Sequence, residues 1–158
     1  MYKGNILVVD DEASTRELLH DYLAEMGNVV SIATDGKDAL QKFDARRTDI
    51  VIADFFMPHM NGLELLQHIK ALNEKVVFII MTGEPGLEMA VDVMKEGAYD
   101  YIVKPFNLDD LRIKTERALH ARKLMESVER MRRLMWGVIL PIPIWLFLGI
   151  WLGRYWWQ

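Results

Sequence analysis

Cysteine is absent from this chain of 158 residues, so neither a disulfide framework nor a thiolate metal site is available to it. Tryptophan is absent from residues 1–135; all five fall later. No internal repeat or low-complexity run precedes residue 134. The apolar run at residues 6–9 is too short for a secretory signal and is stopped by Asp10 and Asp11, which places the body in the cytoplasm. Positive charge is scarce over most of the length. Residues 1–111 carry 10 Lys/Arg against 20 Asp/Glu, a net of −10. Such a body repels phosphates, so no nucleic acid is expected as a partner. Residues 112–135 reverse the sign, with 8 Lys/Arg against 3 Asp/Glu, a net of +5. A basic neck beside an apolar tail suits an anionic membrane surface. The length is that of one domain with an appendage.

Short β-branched runs do occur, at residues 6–9, 29–32, 50–53, 76–81 and 101–103. Each is too short for a helix, and several lack alternation, as strands buried on both faces of a parallel sheet do. Amphipathic stretches separate them. "ASTRELLHDYLAEMG" places Leu18, Leu19, Tyr22, Leu23 and Met26 on one face and stops at Gly27. "DGKDALQKFDARR" and "NGLELLQHIKALN" follow the same plan, as does "PGLEMAVDVMKEGA", with Pro85 near its start and Gly97 at its end. The longest stretch opens at Asn107, a candidate N-cap followed by two acids. Five strand–helix units predict a doubly wound α/β sandwich whose ligands bind beyond the carboxyl ends of the strands.

Those strand ends carry Asp10 and Asp11, Asp54, Thr82, and Lys104 with Pro105. Three converging carboxylates repel one another unless a cation sits among them. An all-oxygen set with room for water suits Mg2+. A lysine and a hydroxyl add what a phosphoryl group needs, and a carboxylate beside them is a nucleophile for phosphoryl transfer. Each signal alone is weak, since paired acids after a strand are commonly a solvated turn or a helix cap. Their order at successive strand ends points to one site. His20, His59, His68 and His120 are scattered and suggest no shared chemistry; the ten methionines read as packing.

The stretches "ILVVDD", "DIVIADFFMPHMNGLELL", "VVFIIMTGEPG" and "GAYDYIVKPFNLDDL" resemble the receiver domain of two-component response regulators, over about residues 3–122. The resemblance implies a flavodoxin-like, five-stranded parallel fold. It implies that Asp54 accepts a phosphoryl group from a sensor histidine kinase or phosphotransfer protein. Asp10, Asp11, Asp54 and the main-chain carbonyl of Phe56 would hold Mg2+. Lys104, through a cis bond to Pro105, would pair with the phosphoryl oxygens. Thr82 and Tyr101 would form the conformational switch toward an output protein not named by the sequence. A Mg-dependent phosphatase working through an aspartyl phosphate is the competing enzyme reading; it wants a second acid two residues after the nucleophile, where Phe56 stands.

The expected organisation is a receiver at 1–122, a basic helical neck at 123–133 and a hydrophobic segment at 134–158, without an output domain. In the neck, Ala121, Leu124, Val128, Met131 and Met135 recur at alternating spacings of three and four. That pattern suits a homodimer through the extended fifth helix, or an amphipathic helix resting on membrane lipid. Residues 134–153 are uncharged and as a helix would span about 30 Å, enough for a bilayer core. Trp136, Tyr155, Trp156 and Trp157 bracket it, and Arg130, Arg132 and Arg133 precede it, which orients the receiver to the cytoplasmic side of the inner membrane. Pro141 and Pro143 oppose a continuous helix and leave room for a re-entrant hairpin. Docking into a membrane protein complex, with the receiver as its regulatory subunit, is the alternative.

Overall fold

The computed structural model describes residues 3–84 and 86–139. Five strands, β1 (Asn5–Val9), β2 (Val29–Ala33), β3 (Ile50–Asp54), β4 (Val77–Thr82) and β5 (Asp100–Val103), alternate with helices α1 (Ala13–Glu25), α2 (Gly36–Lys42), α3 (Gly62–Leu72), α4 (Leu87–Lys95) and α5 (Leu108–Ile139). All pairings are parallel, in the order β2-β1-β3-β4-β5. The reversal of strand order lies between β1 and β3, which sets Asp10 and Asp54 side by side at one edge of the sheet.

The unalternating runs behave as both-face burial requires. Strands β3 and β4 are buried at every position and β1 from Ile6 onward. The edge strands β2 and β5 are largely open. One face of the sheet packs Leu65, Leu66, Ile69 and Phe78; the other packs Leu19, Leu23, Ile79 and Leu111. Each such side chain contributes roughly 2 kcal/mol by leaving water.

Local signals set the helix ends. Asn61 accepts from Glu64 N at 2.9 Å while the Glu64 carboxylate takes Asn61 N at 3.1 Å, a reciprocal cap on α3. Asn107 caps α5 through Asp109 N at 2.8 Å. Gly27 ends α1 in the left-handed region at φ 87°. Two expectations need correction. Leu18 is not on the packed face of α1 but 48% exposed, because the core is met by the Leu19/Leu23 line of that helix with Tyr22 and Met26 beside it. Helix α2 stops at Lys42, before "FDARR" rather than through it: Phe43 turns extended to pack against the core, and the following turn is closed by Thr48 Oγ1 and the Asp44 carboxylate.

The chain divides into two compact units, Met1–Arg122 and Lys123–Gln158. Helix α5 runs on through the predicted neck to Ile139. Among the described residues no helix is long and apolar enough to cross a membrane; the hydrophobic segment from residue 140 onward lies outside them.

Candidate functional site

The carboxyl ends of β1 and β3 bring Asp10, Asp11 and Asp54 together, with one oxygen of each within 4.8 Å of the others. Asp10 is fully buried, Asp54 is 6% exposed, and Asp11 faces solvent. From the end of β5, Lys104 Nζ donates to Asp10 Oδ2 at 2.7 Å and lies 3.1 Å from Asp54 Oδ1. The Lys104–Pro105 peptide bond is cis.

Charge in this pocket is unbalanced. Burial raises the Asp54 pKa above its ordinary value; Lys104 opposes that rise, and the Asp10 and Asp11 charges add to it. Burial works to lower the Lys104 pKa, but its bonds to Asp10 and Asp54 outweigh this and the ammonium is held above its usual range. One ammonium thus serves three carboxylates.

The remaining predicted residues lie on the same sheet with other partners. Thr82 ends β4 fully buried; its hydroxyl accepts from Glu84 N at 3.2 Å and donates to Glu84 O at 3.3 Å. Tyr101 is half-buried in β5, and Lys114 Nζ sits 5.5 Å from its ring centroid. The same ammonium donates to Tyr101 O at 2.7 Å and to Asp100 Oδ1 at 3.0 Å. Phe56, two residues past Asp54, is 53% exposed and packs edge-on against Phe55 with centroids 4.9 Å apart.

The model for the response regulator receiver domain matches residues 6–116. The chain belongs to that family. The transcriptional regulatory protein ZraR of Escherichia coli is 40% identical over 123 residues, 78% of this chain and 28% of its own length. The regulatory protein AtoC of Escherichia coli is 33% identical over 142 residues, 87% of this chain and 31% of its own. This chain therefore spans about 30% of the length of these relatives. A receiver domain from Clostridium thermocellum superposes with a TM-score of 0.74 at 35% identity, covering 77% of this chain and 98% of that one.

Receiver domains bind Mg2+ at their aspartate cluster, and this receiver fits the ion. Its donors are oxygens alone, three carboxylates each offering one within 4.8 Å of the others. Four supporting groups carry no local signal in the sequence. Arg16, in the first turn of α1, donates from Nη1 to Asp10 O at 2.6 Å, while Glu12 N donates to Asp10 Oδ1 at 2.9 Å. Together they fix the loop that presents Asp10 and Asp11. Lys114 was equally silent, because its partners lie 13 and 14 residues away. Gly62 begins α3 hard against β3: a Cβ there would stand 2.5 Å from Asp54 O and 2.9 Å from Phe55 Cα. Arg16 comes nearest to a signal, as a cation one helical turn past the paired acids.

Proposed function

We propose that this receiver takes a phosphoryl group onto Asp54 from a sensor histidine kinase or phosphotransfer protein, and that Thr82 and Tyr101 relay the change to a protein partner. The observation that carries the reading is the Lys104 ammonium bridging a buried Asp10 and Asp54 within a three-carboxylate cluster. In the transfer, an Asp54 oxygen attacks phosphorus, the bond from phosphorus to the donor's imidazole nitrogen breaks, and the freed nitrogen keeps the electron pair. Lys104 leaves its carboxylate partners to pair with the phosphoryl oxygens. Asp10, Asp11, Asp54 and the Phe56 carbonyl would hold Mg2+, which supplies charge neutralisation to those oxygens. The Thr82 hydroxyl exchanges its Glu84 partners for a phosphoryl oxygen and thereby loosens the β4–α4 loop. Tyr101 then turns inward, altering the face built from α4, β5 and α5.

The test is incubation with a small phosphoryl donor and Mg2+, followed by intact mass. One added phosphoryl group is expected on the parent and none on Asp54→Asn; retention of the group by that variant would place it elsewhere.

The same proposal includes location. The uncharged residues 134–153, the tryptophans around them and the arginines before them support a membrane anchor that keeps the receiver at the cytoplasmic face of the inner membrane. Tethering there would raise its effective concentration near a membrane kinase. Fractionation of the full chain beside a version ending at Arg133 checks this: the first is expected in membranes and the second in solution. Recovery of both in solution would remove the anchor.

A further inference from the structure

Beyond Arg122, helix α5 bears an apolar stripe with nothing from the described residues over it. Leu124 is 66% exposed, Val128 59%, Met131 64% and Met135 53%. With each residue turned about 100° from the last, these four fall within an arc of about 60°. Arg132 stands at one flank of the arc and is exposed; Arg130, also exposed, falls about 100° past the other edge, on the same side of the helix as Glu126.

Two occupants suit a helical stripe: a second copy of the helix, or the interface of a bilayer. The charges discriminate between them. Against a second copy, the stripe would be flanked by Met125, Ser127, Arg132 and Leu134. None of these is acidic, so a partner helix would give Arg132 no countercharge. At an anionic bilayer the same arrangement is complementary. The apolar arc enters the acyl boundary, the flanking Arg132 extends its stem along it to reach a phosphate, and Glu126 faces water. The acidic body repels such a surface, but that repulsion is screened beyond a Debye length of about 8 Å.

We propose that the helix from Lys123 to Met135 lies along the surface of an anionic bilayer, buried on its Leu124/Val128/Met131/Met135 side and bound to lipid phosphate by Arg132. This rests on the anchor reading only for the nearness of a bilayer.

The absence of cysteine makes the test direct, since single substitutions can carry an environment-sensitive fluorophore on the full chain. Val128→Cys reports the stripe and Glu126→Cys the far side. On vesicles of mixed phosphatidylcholine and phosphatidylglycerol, the Val128→Cys label is expected to shift to the blue and resist an aqueous quencher. The label at Glu126→Cys stays accessible. Arg132→Glu should weaken this shielding about tenfold in lipid titration. A Val128→Cys label that stays quenchable on vesicles that hold the protein through a high-salt wash overturns the neck proposal and leaves the anchor standing. Shielding at low salt with loss of the protein in the wash supports the neck and removes the anchor. Equal shielding on pure phosphatidylcholine overturns the role of Arg132. Shielding without vesicles that fades on dilution assigns the stripe to a second copy instead.

Discussion

Helix α5 is two different helices on either side of Arg122. Before that point Leu111, Ala118 and Leu119 are buried against the sheet. Arg122 itself is buried, with its guanidinium 3.4 Å from the Lys75 carbonyl and 3.5 Å from the Asp49 carboxylate. After it come Leu124, Val128, Met131 and Leu134, all at least 59% exposed. Sequence composition barely changes across this boundary, yet the source of stability does. The first half is held by what it covers. The second presents an apolar surface that none of the described residues covers, and helical periodicity alone does not distinguish the two.

The largest effect is expected where the buried half is most tightly coupled. Lys104→Met leaves Asp10 fully buried without its ammonium, which should cost about 3 kcal/mol in urea unfolding without Mg2+. It should also slow phosphorylation of Asp54 by about a hundredfold, the usual penalty for losing one preorganised donor. Unchanged stability would mean that the pair contributes nothing to the fold.

The comparison itself is tested by one residue type at two places in one helix. Leu119→Ala, at a position 5% exposed, should cost about 3 kcal/mol. Leu124→Ala, 66% exposed, should stay within about 0.5 kcal/mol in vesicle-free solution. A comparable loss at both would show that the neck is packed after all.

Phe56 is the exception inside the receiver, a large ring left 53% exposed beside Asp54. It packs edge-on against Phe55, a position from which it is expected to shield an acyl phosphate from water. Phe56→Asn is expected to shorten the phosphorylated lifetime severalfold, measured by the decay of labelled protein; an unchanged lifetime removes that role.

The smallest effect is on pH dependence. Because burial raises the Asp54 pKa in the fold, ionising Asp54 costs stability. The native state keeps its full advantage below the unfolded carboxylate value of about 4 and loses part of it as pH rises through the higher folded value. Without Mg2+, Asp54→Asn should therefore be slightly more stable than the parent at neutral pH, and the two should converge in acid. Thermal unfolding across pH reads this directly, and Mg2+ should erase the difference by stabilising the parent alone.

Much of the receiver was legible because its chemistry is tied to local pattern. Short apolar runs predicted β1, β3, β4 and β5, and the residues at the end of each run placed Asp10, Asp54, Thr82 and Lys104 at one edge. Caps at Asn61 and Asn107 work through bonds two or three residues long. Where the reading failed, the deciding contact was not local. Leu18 and Leu19 are adjacent and equally apolar, yet only the second meets the sheet. "FDARR" continues a helical pattern, but Phe43 gains more from the core than from another turn of α2.

The amino-acid order by itself determined the parallel α/β plan, the strand-end acids and the change of charge at the neck, because each depends on spacing along the chain. Tertiary structure alone decided that Lys104 answers Asp10 across 94 residues, that Arg16 holds the carbonyl of Asp10, and that α5 is covered before Arg122 and bare after it. Burial and ion pairing depend on distance through space, and only the folded chain sets that distance.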